Sequence, residues 1–234
     1  MAKLHEVHQS RQRIHVMEKM NGCAIYGADL HLPHMLYAKG IVTGCPYGEI
    51  RAIHTEEALN IPGVRGVYTA EDIPGHNGFG AFCKDEPILA ERYVKFAGDV
   101  VAVVVADSPV LAEQGAKAVR VELTPLKPVL TVEEALSGEI VINPAYPDNL
   151  CASQHLIKGD AAAALAQAEV VVEETYETAW VEHAYLEPEA VVVLPLEGGG
   201  LEMRGSTQNP FFNRNVICEA LCLTEKQVVI HPDT

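Results

Sequence analysis

Two clusters of polar side chains stand close together near the end of the sequence, and their types could bind a ligand. Glu182, His183 and Glu187 offer two carboxylates and an imidazole, and residues 206–209 read Ser-Thr-Gln-Asn. Buried polar groups must be paired or they cost stability. The gathering therefore indicates a ligand site or a local hydrogen-bonded network.

The two clusters flank a predicted β-hairpin. Its arms are Ala190–Leu194 and Leu201–Arg204, and the three glycines 198–200 form its turn. Pro210 after Asn209 predicts a helix start, where asparagine and serine side chains commonly cap the backbone amides. The run 206–209 therefore has two interpretations, a ligand-binding group and a helix cap.

The elements that must position these residues mix strands and helices, which predicts an α+β fold. Strands are predicted at Met35–Thr43, Glu49–His54, Val64–Thr69, Val100–Ala106, Val121–Leu123, Val170–Thr178 and Gln227–His231. Helices are predicted at Glu56–Leu59, Thr131–Leu136, Asp160–Ala168 and Phe211–Leu223. Another helix is predicted after Ser108, which caps it, with Pro109 at its first position. The β-branched run Val100–Ala106 indicates a strand that is buried on both faces.

Composition shifts divide the chain into two domains. Residues 137–153 are rich in glycine, proline and asparagine without periodicity, which is typical of a linker. We therefore predict an N-terminal extension over 1–19, a first domain over 20–136 and a second over 154–234. The polar stretch Gly75–Pro87 predicts a long surface loop inside the first domain.

Bulk properties exclude several classes of function. The chain is 48% hydrophobic and 21% charged, and its net charge of −15 disfavours nucleic acid and anionic membranes as partners. No apolar stretch is long enough to span a membrane, and Met1–Met20 lacks the apolar core of a signal peptide, so we expect a cytoplasmic protein. The glycines 198–200 open no helix, and residues 75–80 neither fit Gly-x-Gly-x-x-Gly nor follow a clear strand, so neither stretch is a phosphate-binding loop.

The cysteines and histidines do not form a metal-binding pattern. None of the six cysteines belongs to a Cys-x-x-Cys motif, so no iron–sulfur or zinc site is predicted. Cys218 and Cys222 share a predicted helical face and are interpreted as small buried apolar residues. His31 and His34 flank a proline in a predicted loop. We expect free thiols and no structural metal.

The order of the motifs resembles the large molybdenum-binding subunit of the xanthine dehydrogenase and aldehyde oxidoreductase family. The central motif is His183-x-x-Leu-Glu-Pro, then the hairpin, then Ser-Thr-Gln-Asn-Pro and a helix. Four other segments agree in the same order: Gly22–Tyr26 with Asp29, Ile61–Val64 with Glu71–Pro74, Asp85–Pro87 through Gly98–Ala102, and Lys158–Asp160 leading into Val170–Thr178. The resemblance covers about residues 12 to 234. It implies an α/β-hammerhead domain followed by the first part of a molybdopterin-binding domain.

The resemblance also implies a chemistry. Members of this family hydroxylate a carbon of an aromatic heterocycle or an aldehyde, with oxygen from water, at a molybdenum ion held by a pterin dithiolene. Gln208 matches the glutamine whose side-chain amide hydrogen-bonds an oxygen ligand of the molybdenum. An amide donates there without bringing charge. His183 and Glu187 are interpreted as a hydrogen-bonded structural pair behind the site, and no catalytic residue or metal ligand is assigned.

Two positions depart from the family pattern. Glu189 stands where the family more often has histidine, and Gly44–Tyr47 stands where the family commonly has Arg-Ser-Pro-His. Both departures are expected to change local packing and to leave the fold unaltered.

The glycine-rich loop and the catalytic glutamate that the family places further downstream do not occur in the 234 residues. We expect the chain alone neither to hold molybdopterin tightly nor to turn over substrate.

Three interpretations follow. The first is a subunit or fragment of a molybdenum hydroxylase, with the remaining molybdopterin-domain polypeptide and iron–sulfur and flavin subunits as partners; a homo-oligomer is an alternative form of association. The second is a truncated, non-catalytic structural or interaction module of the same fold. The third is an unrelated α+β protein in which residues 206–209 only cap a helix.

Overall fold

The computed structural model describes residues 9–80, 83–185 and 189–232, and it confirms a mixed α and β architecture. The strands in these ranges are β1 Tyr37–Val42, β2 Gly48–His54, β3 Val64–Thr69, β4 Tyr93–Val94, β5 Val100–Ala106, β6 Arg120–Pro125, β7 Val191–Leu196, β8 Gly200–Gly205 and β9 Val228–Pro232. The helices are α1 Val16–Met20, α2 Glu56–Leu59, α3 Pro109–Ala118, α4 Val132–Ser137, α5 Ala161–Ala166 and α6 Pro210–Leu221.

The contacts between residues divide the chain into two compact units. One unit comprises Met1–Leu126 together with Glu187–Thr234, and the other is Lys127–Leu186. The last part of the chain thus belongs to the same unit as the first 126 residues. The domain boundaries predicted from the sequence stay a prediction.

The larger unit contains two three-stranded sheets built from its first 126 residues. In one sheet, β5 lies between β1 and β3 and pairs antiparallel with both; in the other, β2 lies between β4 and β6. Four of the seven β5 residues are buried and none is exposed, which confirms the prediction of a strand covered on both faces. The core centres on this strand, with Val94, Val101 and Val104 fully buried.

Helix α3 connects the two sheets. Ser108 caps it by accepting a hydrogen bond from the Leu111 amide at 3.2 Å, and Pro109 occupies the first helical position, as predicted. The strands before and after the helix, β5 and β6, belong to different sheets. A Cβ atom at Gly115 would lie 2.7 Å from Val104 Cγ1, so the helix approaches β5 closely because this position has no side chain.

A third sheet carries the residues of most interest. Strands β7 and β8 form the predicted antiparallel hairpin, and β9 pairs in parallel with β8. Helix α6 connects β8 to β9 and packs against β9. The N-terminus of α6 and the ends of β8 and β9 therefore meet at one edge of this sheet, since parallel strands end together.

In residues 127–185 of the smaller unit, regular secondary structure is limited to two short capped helices. Thr131 caps α4 and Asp160 caps α5, each through a side-chain oxygen that accepts from a backbone amide. The strand predicted at Val170–Thr178 is absent, and this segment is exposed without regular secondary structure. The prediction was wrong for this chain because no strand in the described part of the molecule pairs with the segment. A strand with unpaired backbone groups is not stable alone in water.

Candidate cofactor-binding site

Residues 206–209 lie between the end of β8 and the start of α6, and close backbone contacts fix both sides. At Gly205, φ is +146°, and a Cβ atom there would lie 2.1 Å from the Ala190 carbonyl oxygen, so only glycine fits. The next amide, Ser206, donates to the same carbonyl at 3.3 Å. Gly27, from the family-like opening segment, is buried against Ala190 and Gly205. The chain therefore leaves β8 along a tightly determined path.

On the other side, Asn209 caps helix α6. Its Oδ1 accepts a hydrogen bond from the Phe212 amide at 3.1 Å, and Pro210 begins the helix. Thr207 Oγ1 accepts from Asn213 Nδ2 at 2.6 Å, which ties the run to the first turn. The capping interpretation is thus confirmed for Asn209, and Thr207 has a supporting role.

Gln208 has no comparable structural task. Its side chain is exposed, and its carboxamide makes no hydrogen bond within residues 9–80, 83–185 and 189–232. It also lines none of the cavities described below. Because its neighbours on both sides perform the capping and bracing, the Gln208 amide is available for a ligand.

The second predicted cluster is only partly described. Glu187 lies outside the described residues, so its pairing with His183 stays a prediction. His183 is exposed in the smaller unit, and its ring centroid lies 6.5 Å from that of Tyr185.

Sequence reasoning missed a group of three ionisable side chains on one face of the same sheet. Arg204 Nε donates to the Glu202 carboxylate, and His231 Nε2 lies 3.8 Å from the same carboxylate. Arg204 and His231 are paired across β8 and β9 and line a shallow cavity of about 370 Å³ with Ile25 and Leu30. The polar residues at alternate hairpin positions were the available signal, but the parallel pairing of β9 could not be read from them.

The C-terminal end of α6 is held by the predicted loop Gly75–Pro87. The amides of Gly75 and His76 donate to the carbonyls of Ala220 and Glu219 at 2.9 and 3.0 Å, and Lys84 Nζ donates to both Glu219 carboxylate oxygens at 2.6 Å. These bonds satisfy carbonyls that a helix end leaves unpaired. These contacts therefore fix the C-terminal end of α6, and Gln208 lies just before the N-terminal end of the same helix.

The two cysteines of α6 have different environments. Cys218 is buried, and burial raises the pKa of its thiol, which keeps it protonated. Cys222 is exposed, because the helix ends at Leu221 and Cys222 adopts a left-handed conformation with φ of 54°. The prediction of a small buried residue is correct for Cys218 and wrong for Cys222. All six cysteines are free thiols.

Two kinds of structure are absent from the described part of the chain. Among the described residues, no group of three or more histidine, cysteine, aspartate or glutamate side chains could hold a metal ion. Within the same ranges, no helix is both long and apolar enough to cross a bilayer.

Comparison with known proteins accounts for nearly the whole chain. The family model for the aldehyde oxidase and xanthine dehydrogenase a/b hammerhead domain matches residues 21–127, and the model for the molybdopterin cofactor-binding domain matches residues 142–234. The chain is 35% identical to the nicotinate dehydrogenase large molybdopterin subunit of Eubacterium barkeri over 95% of its own length and 52% of that protein. It is 32% identical to a probable xanthine dehydrogenase subunit of Bacillus subtilis, over 94% of the chain and 30% of that protein.

A solved structure agrees with these relatives. The aldehyde oxidoreductase from Desulfovibrio gigas superimposes with a TM-score of 0.86 at 28% identity, over 94% of this chain and 26% of that one. The chain thus spans about half or less of each of these relatives.

Proposed function

Because the chain belongs to the aldehyde oxidase and xanthine dehydrogenase family of molybdopterin proteins, we propose that it forms part of the cofactor site of a molybdenum hydroxylase. The proposed reaction is oxidative hydroxylation of a heterocycle or aldehyde carbon with water as the oxygen source. Since the chain covers only 52%, 30% and 26% of three relatives, we assign catalysis to an assembly that includes a further cofactor-binding segment.

The observation that carries the proposal is the free carboxamide of Gln208. Gln208 lies between the end of β8, where the Gly205 backbone fixes the path of the chain, and the start of α6, which Asn209 caps. A donor whose backbone is fixed on both sides needs little reorganisation to meet a ligand. Its exposure leaves one side of the amide open to a group supplied from outside the described residues.

The chemistry of the donor fits molybdopterin, which supplies, when bound, the molybdenum centre for oxygen transfer. Gln208 Nε2 would donate to an oxygen of this cofactor, and the amide neither carries charge nor titrates. It would orient the cofactor without competing as a strong ligand. His183 and Glu187 would support this arrangement structurally, and proton removal would fall to a residue of the further segment.

Partners follow from the same proposal. They are the polypeptide that supplies the rest of the molybdopterin domain and subunits that carry iron–sulfur and flavin centres. The description of the Eubacterium barkeri relative as a large molybdopterin subunit supports a multi-subunit assembly.

Molybdenum analysis of the chain alone and of a complemented assembly tests the proposal. The complement is the remainder of the Eubacterium barkeri large subunit, produced in the same cells. We expect substoichiometric molybdenum in the purified chain and close to one molybdenum per complex in the assembly. Stoichiometric molybdenum in the chain alone would contradict the need for a further segment.

The same assembly distinguishes the non-catalytic alternative. If it holds molybdopterin and oxidises nicotinate, xanthine or an aldehyde, the hydroxylase assignment is supported. A stable complex that lacks both cofactor and activity would instead favour a structural or interaction module of the same fold.

A further inference from the structure

The segment 169–182 of the smaller unit exposes several large apolar side chains, and none of its residues is buried. Val170 is 79% exposed, Tyr176 is 88% exposed and Trp180 is fully exposed. No residue between 150 and 185 is buried. An apolar surface of this kind on a folded protein marks an interaction site.

The sequence of the segment alternates as a β-strand does. Val170, Val172, Tyr176 and Trp180 occupy even positions, and the odd positions carry Glu169, Glu173 and Glu177. Four residues depart from the pattern: Val171, Glu174, Val181 and Glu182. In an extended chain, successive side chains point to opposite faces. One face would therefore be mainly apolar, and three of the five glutamates would lie on the other.

Charge identifies the kind of strand that could pair with it. Residues 169–182 contain five glutamates and neither lysine nor arginine. Two copies of this segment side by side would place glutamates close to glutamates, and like charges on adjacent strands are destabilising. A second copy of the chain is therefore disfavoured, and a strand with lysine or arginine on the matching face is favoured.

We infer that residues 169–182 form a docking strand for a basic-faced β-strand in the further cofactor-binding segment. The inference rests on the proposed function for the identity of the partner. Pairing would add a strand through backbone hydrogen bonds and cover the apolar face. It would also neutralise the glutamate row.

Trp180 allows a direct test because it is the single tryptophan of the chain. Biosynthetic 5-fluorotryptophan gives one ¹⁹F resonance from the chain. In the co-produced assembly, where the partner's tryptophans are labelled too, the resonance that Trp180→Phe removes is assigned to Trp180. The first probes are two synthetic twelve-residue peptides that alternate valine with lysine or valine with glutamate. We expect the lysine peptide to shift the resonance and to protect alternate amides in 169–182, and the glutamate peptide to do neither. Equal effects from both peptides would overturn the inference.

Matched variants test the apolar face. Val172→Asp should weaken binding of the lysine peptide at least about tenfold, equivalent to about 1.4 kcal/mol. Val110→Asp, at an exposed position on α3, is the control and should leave binding unchanged. Equal binding by both variants would overturn the inference. A resonance that shifts with the chain's own concentration would do so too, since it would indicate self-association.

The complemented assembly separates this inference from the proposed function. A shifted Trp180 resonance in a complex without molybdenum supports the docking strand and contradicts the proposed function. A molybdenum-loaded complex in which the Trp180 resonance and the 169–182 amides are unchanged overturns the docking strand and leaves the proposed function standing.

Discussion

Gln208 and Asn209 are adjacent amides with different tasks. Asn209 holds the first turn of α6 through the Phe212 amide, whereas Gln208 is exposed and bonds to no described residue. The same functional group therefore serves the fold at one position and is free for a ligand at the next.

This contrast predicts that two alanine substitutions differ in their effect on the free energy of unfolding. Asn209→Ala should lower the free energy of unfolding by about 1 kcal/mol through loss of the cap. Gln208→Ala should change it by less than about 0.5 kcal/mol, as at an ordinary surface site. Urea denaturation of the chain alone measures both. In the complemented assembly, Gln208→Ala should lower molybdenum content or activity. Destabilisation by Gln208→Ala as large as that by Asn209→Ala would indicate a structural task.

The pair formed by Arg65 and Asp107 gives a pH-dependent prediction. Arg65 donates from Nε and Nη2 to the two Asp107 carboxylate oxygens, each at 2.7 Å, and these hydrogen bonds lower the pKa of Asp107. A carboxyl whose folded pKa is depressed adds stability above its unfolded pKa of about 4. That contribution is lost as the pH falls through the lower folded value.

An NMR titration of the side-chain carboxyl measures this effect. Arg65→Met should raise the pKa of Asp107 toward its ordinary value. Lys117→Met, which removes a partner of Glu113, should leave the pKa of Asp107 unchanged. The same Asp107 pKa in both variants would contradict the assignment to Arg65.

At the scale of elements, the contact between α3 and β5 depends on a missing side chain. Gly115 lies in the helix, and an added Cβ would meet Val104 Cγ1 at 2.7 Å and Val64 Cγ2 at 3.1 Å. Alanine normally stabilises a helix by about 0.5–1 kcal/mol relative to glycine. Overpacking a core costs about 1–3 kcal/mol, so the clash should win.

A double-mutant cycle tests this contact. Gly115→Ala should destabilise the chain by about 1 kcal/mol, and Val104→Ala by about 2 kcal/mol. In the Val104→Ala background, Gly115→Ala should be neutral or stabilising, because the clashing methyl is gone. Urea denaturation gives the four free energies of unfolding. Additive effects would show that the two positions do not touch.

Local signals in the sequence were sufficient for most elements of this fold. The caps Ser108, Thr131 and Asp160, the hairpin glycines and the valine-rich strand all act within a few residues, so their structures follow from propensity and periodicity. Long-range pairing could not be derived in the same way. No local sequence signal indicates that β5 and β6 belong to separate sheets. No local signal indicates that residues 170–178 lack a partner strand either.

The candidate site shows the same division. The position of Gln208 before a capped helix could be predicted because Asn-Pro marks the start of α6. The Glu202, Arg204 and His231 group depends on parallel pairing between strands that α6 separates in sequence. The exposed position of Cys222 depends on a helix that ends earlier than its apolar pattern indicates.

At the scale of the whole molecule, matches to both domain models exclude the interpretation as an unrelated α+β protein. The cytoplasmic location and the exclusion of nucleic-acid partners stay predictions from composition. Residues 187–234 belong to the same unit as the first 126 residues, so a cut between these two parts of the chain should leave them associated.

Limited trypsin digestion tests this organisation. Lys158 is exposed within a stretch that contains no buried residue, so we expect early cleavage there, besides trimming near the N-terminus. The two fragments should separate on a denaturing gel and stay together in size-exclusion chromatography, because Gly75, His76 and Lys84 of the first fragment bond to α6 of the second. Lys158→Gln should resist this cut. Fragments that dissociate under native conditions would contradict the division into units.

The most direct measurement is an experimental structure of the complemented assembly with molybdopterin bound. We predict that Gln208 Nε2 lies within hydrogen-bonding distance of an oxygen of the cofactor, with Asn209 still capping α6. A Gln208 carboxamide that points into solvent, away from a bound cofactor, would contradict the proposed role of this residue.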